Sequence, residues 1–226
     1  FQAQVSILVY LLGSVCCFYL SSRYHLICCR SRQVMARSLV WDQIGTLAYI
    51  CSSFMPGMTI VGMRFPVLGQ RCKVLVIINF VIGAFLISRG AKKSAPQASL
   101  YADRVFMFTT LWSLVPYCLY AYSEYDVHDM LGQKFSWAVA VVYINQILAF
   151  LMYRFGFPER VFSPKPGSTG KGGLDCFGNS HNLMHIMVSI GGLVWLLFVV
   201  WFFRQAVISG YGFDIIDEVG FHHLPI

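Results

Sequence analysis

Charge is what this sequence has least of. Asp, Glu, Lys and Arg make up 12% of its 226 residues, against about 25% in an ordinary soluble domain. Acidic residues are the scarcer sign, ten against 17 basic. A chain so poor in charge cannot clothe itself in solvated groups, which excludes a soluble globular fold. Paired cysteines are lacking as well. Cys16, Cys17, Cys28, Cys29, Cys51, Cys72, Cys118 and Cys176 include no C-x-x-C spacing, so neither a zinc ribbon nor a disulfide framework is indicated and they read as small core residues. Nucleic-acid signatures are missing: the excess of seven positive charges lies between apolar runs and not in one stripe interleaved with aromatics. That placement suits loops facing anionic lipid and cytosol, and excludes a nucleic-acid partner. There is no internal repeat, no heptad array and no second soluble domain. The chain begins at Phe1 inside an apolar run, without a methionine or a basic n-region. A signal peptide is therefore not supported, and further N-terminal sequence is expected before it.

What the chain has in abundance is apolar length. Hydrophobic residues reach 57% and aromatics 16%, and mean hydropathy is +0.63. The fold class is an all-α integral membrane protein, one transmembrane helical domain over 1–226 with spans at about 5–24, 39–62, 74–88, 105–122, 135–153 and 180–203, and a C-terminal tail over 204–226. About 20 apolar residues suffice to cross a bilayer, and the third span, which is shorter, can extend through Cys72 or across Arg89 by snorkelling. A basic loop with Arg30, Arg32 and Arg37 separates the first two spans, and a short one with Arg64, Pro66 and Gly69 the next two. Arg89 to Ser99 forms a further basic loop, and an acidic one carries Glu124, Asp126, His128 and Asp129. Pro56-Gly57 predicts a kink in the second span. Asn79, Asn145 and Gln146 lie inside spans and read as interhelical hydrogen-bonding groups. The insert Pro164 to Gly173 superficially suggests phosphate binding, but it lacks the P-loop spacing and its strand-to-helix setting, so it reads as a solvated loop.

Basic residues fix an expected orientation. Loops after the first, third and fifth spans hold twelve of the 17 Lys and Arg residues, which makes their face cytosolic by the positive-inside rule. Six spans then place both ends of the sequence outside, and one more span before Phe1 would carry the N-terminus to the cytosol.

The same count collects the unusual polar residues at one depth. His25 closes the first span, with Ser21 one turn before it. Asp42 falls in the first turn of the second span, and His181 and His185 open the sixth. Residues at i and i+4 share a helix face, so His181 and His185 can present two ring nitrogens to one point. Imidazoles are rare inside a bilayer unless they have a function. Three of them, with a carboxylate and Ser21 beside them, match a catalytic zinc site, whose three protein ligands leave a position for water that Asp42 could orient or deprotonate. Taken singly, each has an ordinary reading: His25 as a satisfied edge residue, Asp42 as a helix N-cap. The terminal pair His222-His223 reads as tail and not as a site.

Ser21-x3-His25, Asp42 within Leu39-Val40-Trp41-Asp42-Gln43-Ile44-Gly45, Ser53-Phe54-Met55-Pro56, Phe157-Pro158-Glu159-Arg160 and Ser180-His181-x3-His185 together resemble the progestin and adipoQ receptor family and its hemolysin III relatives. The match runs along nearly the whole chain and is greatest to the adiponectin-receptor branch. The resemblance implies a seven-helix bundle with a cytosolic N-terminus, of which six helices fall within this sequence; the family's first helix and the acidic motif before it do not. It implies zinc held by His25, His181 and His185, with Asp42 near the zinc-bound water and Ser21 beside the site. The connection to the last helix is lengthened by the stretch around Gly167 to Gly173. Membrane lipids such as ceramide or a fatty acid, or an extracellular protein or steroid ligand, are the partners implied. Three readings follow: a zinc-dependent lipid amidase, a receptor with structural zinc, and a pore-forming protein. The last is the weakest, because the polar groups gather at one face and do not line a path across.

Overall fold

The computed structural model describes residues 1–92, 95–123, 130–162 and 179–210. They are all-helical: α1 Gln2–Ile27, α2 Arg32–Arg64, α3 Pro66–Ala91, α4 Ala95–Ser123, α5 Met130–Phe155, the single turn α6 Glu159–Phe162, and α7 Ser180–Ser209. The six longer helices are long and apolar enough to cross a membrane. The acidic loop Glu124 to Asp129, Lys93, the insert Pro164 to Gly173, Cys176 and the tail with His222 and His223 lie outside the described residues.

Each stretch read from hydropathy lies within one of these helices, which run further at their ends. Arg32 and Arg37 belong to α2 and not to a loop, because the Ser31 side chain accepts a hydrogen bond from the Val34 N–H at 3.2 Å and caps the helix there. Asp42 therefore lies in the third turn of α2 and not in its first, and is no N-cap. Arg64 ends α2, and Pro66 opens α3, where its fixed φ suits a first turn. Gly69 is helical too. A Cβ there would lie 2.4 Å from the Gly62 Cα, so its bareness lets α2 and α3 turn back closely through Phe65 alone. Arg89 is the last basic residue of α3, and α7 carries on past 204 to Ser209. Pro56 and Pro116 sit inside α2 and α4, as membrane helices tolerate.

The residues divide into two compact units, Phe1–Asp126 with Phe203–Ile226, and Val127–Phe202. In the first, α2 is the central helix: α1 and α3 pack on it, and α4 packs on both α2 and α3. Leu47, Met58, Ile60 and Val61 of α2 are fully buried, whereas Leu12 of α1, Phe85 of α3 and Phe108 of α4 are each 60% or more exposed. Apolar side chains facing outward from most helices and inward from one is the distribution expected of a protein whose solvent is lipid. Asn79 donates to the Thr109 hydroxyl at 2.8 Å and reaches Cys51 Sγ at 3.7 Å, tying α3 to α4 and α2, the role its sequence position predicts. In the second unit Asn145 of α5 donates to the Met187 carbonyl of α7 at 2.9 Å. A Cβ on Gly191 would sit 2.3 Å from that amide nitrogen, so glycine is what lets Asn145 reach the backbone of α7.

Candidate metal centre

The first unit holds Ser21, His25 and Asp42. Ser21 and His25 are one turn apart on the last stretch of α1, Ser21 buried and His25 exposed. The Tyr24 ring meets the imidazole edge-on, centroids 5.0 Å apart. A Cβ on Gly45 would lie 3.3 Å from the Cys17 Cα. Since α1 and α2 run antiparallel, Asp42, about one turn earlier on α2, comes level with Ser21, about one turn later on α1. Asp42 is half-buried, and its carbonyl accepts from the Thr46 hydroxyl at 3.1 Å. Its neighbour Gln43 is 8% exposed and buries Oε1 with no hydrogen-bond partner among the described residues.

The second unit holds the other two imidazoles. His181 and His185 are half-buried, with Nε2 to Nε2 3.0 Å, and the Tyr153 ring of α5 lies 5.4 Å from that of His181. Two nitrogens bound to one tetrahedral zinc at its usual bond length stand about 3.3 Å apart, so the pair has the separation that a shared metal requires. What holds these rings is the start of α7. The Asn179 side chain accepts from the Asn182 N–H at 2.9 Å, and Glu159 accepts from both the Ser180 N–H, at 2.7 Å, and the Ser180 hydroxyl. A carboxylate satisfying free N–H groups at a helix N-terminus is favoured by hydrogen bonding and by the helix dipole together. Glu159 thus fixes the residue before His181. Sequence reasoning gave it no role, because 21 residues separate it from Ser180; an acidic residue beside a proline, ahead of a helix that opens with serine, was the available signal.

His181 and His185 are the two imidazoles that the second unit brings to one point, and His25 belongs to the first unit. Neutral imidazoles are donors suited to zinc and other late transition metals and poorly suited to magnesium or calcium.

Six long apolar helices define a class, the polytopic membrane proteins. Residues 1–196 match the family described as Haemolysin-III related, and the chain belongs to that family. It is 24% identical over 195 residues to the Adiponectin receptor protein of Drosophila melanogaster, covering 85% of this chain and 41% of that protein. With Heptahelical transmembrane protein 1 of Arabidopsis thaliana it shares 28% identity over 210 residues, 85% of this chain and 56% of the relative. Progestin and adipoQ receptor family member 3 of Mus musculus is 22% identical over 175 residues, 77% and 53% of the two chains. The chain thus spans about half the length of the curated relatives it matches.

Proposed function

We propose that this protein is a zinc-dependent hydrolase of lipid amides such as ceramide, with the metal held by His25, His181 and His185 at the cytosolic end of the helices. What supports the reading is the pair His181 and His185, whose Nε2 atoms stand 3.0 Å apart; with His25 as third ligand the set suits catalysis, since three protein ligands are the complement of a catalytic zinc and four that of a structural one. Bound there, zinc supplies Lewis acidity, polarising the amide carbonyl and lowering the pKa of water. The Asp42 carboxylate takes the proton of the attacking water as its oxygen joins the carbonyl carbon. It then returns that proton to the amide nitrogen as the C–N bond breaks, so that a fatty acid and an amine leave. The Ser21 hydroxyl, buried one turn from His25, supplies a hydrogen bond beside the reacting groups.

A second reading has its own support: two of the relatives carry the word receptor in their names. In that reading zinc is structural and an extracellular protein or steroid ligand biases the helices. Purified protein incubated with ceramide, with and without a chelator, separates the two by fatty acid release. Chelator-sensitive release is the expected result. Stoichiometric zinc with no turnover on any lipid amide would leave the receptor reading in its place.

A further inference from the structure

The turn between α1 and α2 carries a second constellation that the metal reading does not use. Arg23, Arg30 and Arg37 line one pocket of about 440 Å³ together with Leu20, Ile27, Val34, Ser38 and Trp41. The three guanidinium groups come from the end of α1, the connecting turn and the second turn of α2, and the tight reversal is held by the Ser31 cap. Among the described residues no carboxylate pairs with any of the three. Like charges converging on one concavity repel unless an anion joins them, and arginine is the side chain best shaped to bind phosphate oxygens in pairs. The wall is not that of a soluble-anion site. Leu20, Ile27 and Val34 are apolar, and Trp41, 53% exposed, stands on the bilayer side of the turn, where an indole marks the interface between headgroups and acyl chains. His25 follows Arg23 by two residues, about 200° around the helix, so this pocket opens on a different face of α1 from the one bearing the metal-group histidine.

We infer that this pocket binds the phosphorylated headgroup of an anionic membrane lipid, the phosphates between Arg23, Arg30 and Arg37 and the glycerol end against Trp41 and Leu20. Basic residues at a membrane surface act in the same direction, drawing anionic lipid from the surrounding leaflet. The site is independent of zinc and of catalysis. Its occupant is a multiply phosphorylated lipid, because three uncompensated charges in one pocket exceed what a single phosphodiester neutralises.

The test is equilibrium binding of fluorescent phosphatidylinositol bisphosphate to the purified protein in micelles, read by anisotropy. Saturable binding, displaced by the unlabelled lipid and not by phosphatidylcholine, is expected. The substitutions R23Q, R30Q and R37Q should each weaken it about fivefold, while R32Q, on the same segment but outside the pocket lining, should leave it unchanged. Val34→Trp, which fills the pocket without altering charge, should abolish binding; retained zinc content would show that both it and the arginine variants fold. An equal loss with R32Q, or full binding by Val34→Trp, would overturn the pocket in favour of unspecific attraction to a basic segment. Equal affinity for the soluble headgroup inositol trisphosphate, or for inorganic phosphate, would overturn the lipid as occupant. An arginine-bearing pocket that captures a phosphopeptide in competition with the lipid would do the same.

Discussion

Two imidazoles with their Nε2 atoms 3.0 Å apart present two nitrogen donors to one point at the start of α7. Such a pair is what a metal selects, so a substitution at His181 tests the site directly. We expect one tightly bound zinc per chain in wild-type protein by elemental analysis, and its loss in His181→Ala; unchanged zinc in that variant would remove the site. Asp42 separates the functional readings more finely. Ser31 already caps α2, so a capping role for Asp42 is excluded by position. Asp42→Asn should keep zinc, since all three imidazoles remain, and keep the melting temperature, while turnover of ceramide falls about 10²–10⁴-fold with the loss of a general base. Zinc and stability lost together would instead make Asp42 a fourth ligand of a closed structural site, and unaltered turnover would end its catalytic assignment.

At the scale of elements, the apolar interior of each helix was legible and the ends were not. Hydropathy registers where lipid is tolerated, so it gave six spans. It cannot register the polar turns that extend a helix beyond the hydrocarbon, which depend on caps such as Ser31 and Asn179. That is why hydropathy sets Asp42 in a first turn and the helix, starting at Arg32, sets it in a third. The histidines were legible because an imidazole in an apolar run is conspicuous. Glu159 was not, because its work is done across 21 residues of sequence. Its contribution can be measured. Glu159→Gln keeps the shape but loses the charge that favours a helix N-terminus and one acceptor, and should destabilise the second unit by about 1–2 kcal/mol, read as a lower melting temperature. If Glu159 also positions His181, zinc affinity should fall in the same variant and be largely restored in Glu159→Asp. A stability loss with unaltered zinc affinity would confine Glu159 to capping.

For the whole molecule, orientation decides which compartment meets the arginine pocket and the end of α1 that holds His25. In the sequence, twelve of the 17 Lys and Arg residues fall in the stretches after the first, third and fifth spans, and each short-loop arginine or lysine biases its end toward the cytosol. The ends of α3 offer a clean readout. Val67, 63% exposed, is its second residue, and Lys92 is its C-cap. Because α1, α2 and α3 cross in alternating directions, the Lys92 end lies on the same side as the α1–α2 turn that bears Arg30. With the native cysteines replaced, a membrane-impermeant thiol reagent applied to intact cells should label Val67→Cys at once and Lys92→Cys only after permeabilisation. Labelling of Lys92→Cys alone in intact cells would turn the protein over. It would then set the end of α1 that holds His25 against the outer leaflet, where multiply phosphorylated lipids are scarce, and both the proposed hydrolase and the proposed lipid site would have to be sought with different ligands.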